Sequence, residues 1–231
     1  MSVILNIETS ARICSVAVSC DGMVEFHIES EEPMQHAALL AGYVERCLEF
    51  LARREMKLDA VAVSSGPGSY TGLRIGMSLA KGLCFAKDVP LIAVPTLETL
   101  AVKAMFALRE PQGDEILVPM IDARRMEVYT AAYDFALKPL LEPSALVLDG
   151  DSYHDLPKGR EVVFIGDGVD KAREVLNVEG ARFLSSSMPV AMDMVALSER
   201  AFRNGDFLDT AYGVPFYLKD YRATVARNKV L

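Results

Sequence analysis

The stretch Ser64–Gly76, SSGPGSYTGLRIG, constrains the fold more than any other part of the chain. A short apolar run at Ala60–Ser64 leads into it, and a mainly apolar segment from Gly72 to Ala86 follows. The whole therefore reads as strand, tight turn and helix. Gly66-Pro67-Gly68 sets the turn, and Thr71 is the expected helix cap. Such a loop has two uses. Backbone N–H groups at a helix N-terminus can hold an anion, or glycine can let another part of a backbone come close. The spacing matches neither GxxxxGK nor GxGxxG, and no lysine follows where a phosphate loop would place one. Gly72, Gly76 and Ala80 recur every fourth residue and make a stripe of small side chains down one helix face. The stripe favours the second use, a face on which another helix backbone can rest.

The rest of the first third alternates between two periods. Val3–Glu8, Ser15–Ser19 and Val24–Glu29 have strand patterning, with Asp21-Gly22 as a hairpin turn between the latter two. Gln35–Arg54 is a helix whose only glycine is Gly42. Pro90–Val94 is a strand, and a helix from about Leu97 to Leu108 follows, with Thr96 as its cap. The order β-β-β-α-β-α-β-α points to a mixed sheet covered by helices. Glu110–Asp114 reads as a linker. Beyond it, Ile116–Ala123, Glu127–Phe135 and Val162–Ile165 are strands, Asp170–Leu176 a short helix, and Met192–Asn204 a final helix stopped by Gly205. Two lobes are expected, residues 1–110 and 111–231, with the last helix able to pack back on the first lobe.

Both early helices are more apolar than packing on one sheet requires. Leu39, Leu40, Tyr43, Val44, Cys47, Leu48, Phe50 and Leu51 cover an arc wider than the ~100° of an ordinary amphipathic helix. Leu73, Ile75, Met77, Leu79, Leu83 and Cys84 surround the small-residue stripe. A docking surface is expected at Leu40, Tyr43, Val44, Cys47, Leu51, Gly72, Leu73, Gly76, Met77, Leu79, Ala80 and Leu83. The alternative is that the two helices bury against each other and the second lobe.

Composition excludes some functions. Hydrophobic residues make up 51% of the 231 residues, yet no run approaches the roughly 20 apolar residues that span a bilayer. The formal charge of −8, from 24 basic and 32 acidic residues, argues against a chain that binds nucleic acid alone. Cys14, Cys20, Cys47 and Cys84 form no CxxC pair, so reduced thiols in a cytoplasm are expected.

Three segments carry a family likeness: NIETSARICSVAV (6–18), AVAVSSGPGSYTGLRIGMSLAKGLCFA (60–86) and VPMIDARRMEVYTAAY (118–133). Together they resemble the TsaB (YeaZ) family, and the likeness returns weakly at PFYLKDY (215–221). The resemblance implies a two-lobed actin-like ATPase fold, ribonuclease H-like in topology, with mixed sheets flanked by helices. It further implies a noncatalytic subunit that pairs with a larger paralogue, TsaD, and a small ATPase, TsaE. That assembly transfers a threonylcarbamoyl group to the adenosine beside the anticodon of tRNAs reading codons that begin with A. The helices at 35–54 and 72–86 would dock on TsaD, or form a homodimer in its absence, and tRNA would be met through the complex. The family usually has aspartate where this chain has Glu8, which argues against independent nucleotide hydrolysis, and Tyr70 replaces the family's phenylalanine.

Catalytic groups are sparse. His27, His36 and His154 include no i, i+4 pair, and no Cys–His zinc pattern or GxSxG elbow exists. A vestigial nucleotide cleft between lobes is a candidate, from Glu8, Thr9 and Ser10 on one side and Gly166, Asp167 and Gly168 on the other. No cofactor is expected on the chain alone, with ATP or ADP at a complex interface. Asp122-Ala123-Arg124-Arg125 is either a contact loop or a plain hairpin turn. The tail 217–231 is locally basic and aromatic, either a tRNA or partner contact or an ordinary terminus. Two rival functions remain: an ATP-dependent phosphotransferase or carbamoyltransferase of the same fold acting alone, and a self-associating structural protein.

Overall fold

The computed structural model describes residues 1–30, 35–185 and 187–219. The expected basic tail therefore lies outside the described residues from Asp220 onward. The chain opens with β1 (Val3–Glu8), β2 (Ser15–Cys20) and β3 (Met23–Glu29), with Asp21 and Gly22 both at positive φ in the hairpin between the last two. Next come α1 (His36–Arg53), β4 (Ala60–Gly66), α2 (Tyr70–Lys87), β5 (Leu91–Pro95) and α3 (Thr96–Ala107). The second half repeats the strand pattern with β6 (Ile116–Asp122), β7 (Glu127–Tyr133), β8 (Pro139–Val147), β9 (Val162–Ile165), α4 (Val169–Arg173) and β10 (Ala181–Leu184). A 3-10 turn at Ala191–Met194 leads into α5 (Val195–Asn204), which Gly205 ends in a left-handed conformation.

The two sheets are copies of one design. The first runs β3-β2-β1-β4-β5 and the second β8-β7-β6-β9-β10. In each, the first three strands are antiparallel neighbours and the last two join in parallel. This is the two-lobed actin-like arrangement. Its central parallel strands β1 and β4 are buried along their whole length, as strands covered on both faces must be.

Alternation along the strands decides which helix each face receives. Val3, Leu5, Ile7, Val16, Val18, Val61 and Val63 point to one side and pack under α1 and α2. Ile4, Ala60, Ala62, Ile92 and Val94 point to the other and meet α5 and Val102 of α3. The opposite flank of α3 packs on Leu117, Ile121, Val163 and Ile165 of the second sheet. Helix α3 is thus the filling between the two sheets.

Four sequence expectations need correcting. Strands β8 and β10 gave no clear signal, because β8 contains Pro139 and Pro143 and both strands lie at sheet edges, where prolines and short pairing are tolerated. The final helix is split, its first turn being 3-10. Ser69, not Thr71, caps α2, its hydroxyl accepting from the Gly72 N–H at 3.2 Å. Thr96 caps nothing: it is the first residue of α3 and its buried hydroxyl has no partner.

The small-residue stripe faces inward. A Cβ on Gly68 would meet Ser10, one on Gly72 would overlap the Thr9 carbonyl oxygen, and one on Gly76 would overlap Thr9 Oγ1. Helix α2 therefore rests on the chain that leaves β1, and the glycines remove the side chains that would hold it off. We expect Gly76→Ala to destabilise the protein by about 2 kcal/mol in denaturant unfolding, the usual scale for overpacking. Because Thr9 Oγ1 has no hydrogen-bond partner, Thr9→Ala is expected to recover much of that loss in the double variant. Additive effects of the two changes would contradict the packing described.

Candidate functional site

Residues after β1 form a buried polar knot. Glu8 Oε1 accepts from the Ser10 N–H at 2.6 Å, Ser64 Oγ accepts from the Thr9 N–H at 3.1 Å, and the Ser10 carbonyl accepts from the Ser69 N–H at 2.7 Å. Glu8, Thr9 and Ser10 are all buried, and Glu8 Oε2, Thr9 Oγ1 and Ser10 Oγ have no partner. Burial pushes the Glu8 carboxyl up to about 7, against the opposing pull of the nearby Ser10 and Ser64 hydroxyls and of the Ser10 backbone N–H.

The matching turn of the second sheet is occupied by its own chain. The Gly168 N–H donates to the Met120 carbonyl at 3.1 Å, and a Cβ on Gly166 would overlap the same carbonyl. Asp167 accepts from the Asp122 N–H at 2.8 Å. The glycines here make room for Met120, and the carboxylate is engaged with backbone. These residues do not fit a phosphate: one turn closes on β6, and the other offers a buried carboxyl in place of an open cradle. Among the described residues, the hydrogen bonds of residues 8–10 stay with the first sheet and the start of α2, and those of 166–168 stay with the second sheet.

The expected docking residues divide into two groups. Leu40, Val44, Cys47, Leu51, Gly72, Leu73, Gly76, Met77 and Ala80 are buried within this chain. They form the inner faces of α1 and α2 over the first sheet, so a partner could reach them only by opening the core. Tyr43, Leu79 and Leu83 are half-buried and remain at the surface. The wide apolar arc of α1 is partly explained by β3, since Phe50 stacks on Phe26 with ring centroids 5.0 Å apart.

What the two helices present outward was not read from the sequence. Ala37, Ala38, Ala41 and Gly42 of α1 and Ser78 and Gly82 of α2 are exposed. Ala37, Ala41, Ile75, Ser78 and Leu79 line a shallow open groove of about 680 Å³, with Tyr70, Thr71 and Arg74 at its end and His36 beneath. His36 is buried at the start of α1, shifted downward by desolvation, with hydrogen bonds to the backbone of Ala11 and Ile13 opposing that shift. Its position tethers the polar knot to α1.

The segment after α5 runs back along the first lobe and reaches the same end of the groove at Tyr217. Leu208 bridges to Leu91, Lys81 Nζ donates to the Ala211 carbonyl at 3.0 Å, and the Phe216 N–H donates to the Ser65 carbonyl at 2.7 Å. Tyr217 packs on Tyr70 with ring centroids 5.2 Å apart and accepts from Arg74 Nε at 3.3 Å. A 3.6-residue periodicity could not reveal this strap, because it has no regular secondary structure.

Comparison with known proteins settles the relationship. The model of the family described as TsaD: tRNA N6-adenosine threonylcarbamoyltransferase matches residues 31–203. The Escherichia coli protein named tRNA threonylcarbamoyladenosine biosynthesis protein TsaB is 31% identical over 224 residues, 94% of each chain. The chain belongs to the TsaB family, on the domain that this family model describes. The Bacillus subtilis TsaB is 31% identical over 176 residues, covering 75% of this chain and 74% of its own. The solved structure of YeaZ from Pseudomonas aeruginosa superposes with a TM-score of 0.77 at 29% identity, over 94% of this chain and all (100%) of its own. A second Pseudomonas aeruginosa structure, described as similar to peptidase YEAZ, gives 0.81 at 27% identity over 95% of this chain and 100% of its own.

Glu8, through its burial, is expected to make the stability of this TsaB-family chain depend on pH. Its folded value of about 7 lies above the ordinary 4.5, so the native state holds the proton more tightly than the unfolded state between those values. Stability is then highest below pH 4.5 with respect to this group and falls as pH rises toward 7, by on the order of 3 kcal/mol. We expect the unfolding free energy of Glu8→Gln, relative to wild type, to grow across that window and level off above it. A difference independent of pH would rule out the buried ionisation.

Proposed function

We propose that this chain is the noncatalytic activating subunit of the machinery that makes threonylcarbamoyladenosine in tRNAs reading codons that begin with A. In this reading it binds a TsaD-like catalytic subunit through the outward faces of α1 and α2, and a TsaE-like ATPase joins the assembly. The same face pairs two copies of the chain when the partner is absent. ATP or ADP belongs at the shared edge of the complex. The family relationship supports the pathway, and the helix surfaces support the role.

One observation supports docking above the rest. Gly42 and Gly82 stand in the interiors of α1 and α2, and a Cβ on either would meet nothing within 4 Å. Neither has the inward task of Gly72 and Gly76. Glycine in a helix interior costs roughly 0.5–1 kcal/mol relative to alanine, and no packing among the described residues offsets that. A second backbone lying across Ala41, Gly42, Ser78 and Gly82 would supply the reason, with Tyr43, Leu79 and Leu83 as its apolar contacts. As an activator, the chain must bind the partner's active form more tightly than its inactive form.

The test separates intrinsic stability from docking. We expect Gly82→Ala to raise the stability of the isolated chain by about 0.5–1 kcal/mol while weakening its complex with the TsaD-like protein. Ala41→Glu and Leu79→Glu are expected to reduce that affinity at least about tenfold, measured by calorimetry and size-exclusion chromatography. A complex indifferent to all three substitutions would exclude this face. The rival enzyme acting alone predicts nucleotide turnover by the isolated chain, abolished by Asp167→Asn.

A further inference from the structure

The hairpin between β6 and β7 has a three-residue tip, Arg124-Arg125-Met126, closed by the Ala123 N–H to the Glu127 carbonyl at 3.0 Å and the Glu127 N–H to the Arg124 carbonyl at 3.2 Å. Both arginines lie in the left-handed region, at φ 71° and 53°. Asn or Gly is the ordinary choice at such positions. Two long β-substituted side chains there require something to hold the backbone, and the structure shows what does. Lys171 Nζ donates to the Arg125 carbonyl at 2.8 Å, to the Glu127 carbonyl at 2.6 Å, and to the Asp122 carboxylate. Asp122 in turn accepts from the Arg124 N–H at 2.9 Å, and its own N–H is held by Asp167.

The turn Gly166-Asp167-Gly168 and the helix after it, which would face phosphates in a nucleotide-binding relative, are here the scaffold under an arginine tip. The carboxylates around the tip are already engaged. Lys171 faces Asp122, Lys219 faces Glu127, and Asp167 holds backbone. Among the described residues no carboxylate pairs with Arg124 or Arg125, and both are exposed. On a chain of net charge −8, two unpaired guanidinium groups are pushed outward from a braced turn.

We propose that the Arg124-Arg125 tip contacts the phosphodiester backbone of RNA, with Lys171 and Asp167 as positioning residues. The guanidinium fork matches phosphate oxygens in pairs, and a phosphate contact needs no apolar surround. Arginine and methionine are both common at protein interfaces, but Met126 is the tip's one apolar side chain, too little for the desolvated centre that such an interface is built around. Its location agrees. The strap passes from Tyr217, against Arg74 of α2, to Lys219, against Glu127, in two residues, a span of about 7 Å. The strap thus links the tip, through Lys219 and Glu127, to the Tyr70–Arg74 end of the docking face, so RNA held by a docked partner is brought toward it. The inference rests on the docking role proposed above and adds a nucleic-acid contact on this subunit.

The test uses the assembled complex with the TsaD-like protein and, as probe, an unmodified transcript of a tRNA reading a codon that begins with A. The variant Arg124→Asn with Arg125→Gly removes both guanidinium groups and suits the left-handed turn, so folding is kept. Its thermal stability and its complex with the partner are expected to match wild type. Its affinity for the tRNA is expected to fall on the order of tenfold, with the slope of log affinity against log salt reduced by about 1 to 2. The Arg124→Lys, Arg125→Lys variant should keep the slope and lose only part of the affinity. Lys171→Met should reproduce the affinity loss with the arginines still present. Unchanged affinity and slope in an intact complex would overturn the proposal and leave the docking role standing. Loss of the protein complex itself in the Asn-Gly variant would overturn it in favour of a protein contact. If the wild-type proteins do not associate at all, the docking role falls, and the same titration on this chain alone decides the tip.

Discussion

The approach of α2 to the chain leaving β1 is the contact on which the first lobe depends. Three glycines, at 68, 72 and 76, each stand where a Cβ would enter Thr9 or Ser10. Without that approach, Leu73 and Met77 would lift from the sheet and Ser69 would lose its place at the helix start. The same contact buries Glu8, Thr9 and Ser10, and so leaves three polar atoms without partners. Close packing has been achieved here with incomplete polar satisfaction, and the protonation of Glu8 lessens the penalty of a buried charge.

That contact also explains how a sequence can show the right helices and the wrong face. Hydrophobic period and turn chemistry place both helices and eight of the ten strands within a residue or two, because those signals are local. A small-residue stripe says only that some backbone comes close. Here the neighbour is the segment Thr9–Ser10, in direct contact with Gly68 yet nearly sixty positions away in sequence, and nothing local encodes it. The outward glycines, Gly42 and Gly82, are isolated in the sequence and become meaningful only when their surroundings are seen to be empty. Edge strands β8 and β10 and the strap after Leu208 were illegible for a related reason. Their places are fixed by partners elsewhere in the chain and by no period of their own.

The duplication of the sheets gives each lobe a turn at the same topological position. In neither lobe is the turn open. The first closes around α2, and the second closes around Met120 and Asp122. Groups of a kind that could hold a ligand act here as internal braces.

Helix α5 and the strap have a consequence for synthesis on the ribosome. Ser198 bonds Asn6 across 192 positions of sequence, and Glu199 bonds Ser2 across 197. The second face of the first sheet, at Ile4, Ala62 and Ile92, is fully covered only when Met194 and Leu197 join Val102. An emerging polypeptide therefore carries part of a greasy sheet face uncovered until Leu197 has been made, and the N-terminal lobe is completed by residues from the far end of the chain. Its two ends must be present together before either is safe from aggregation.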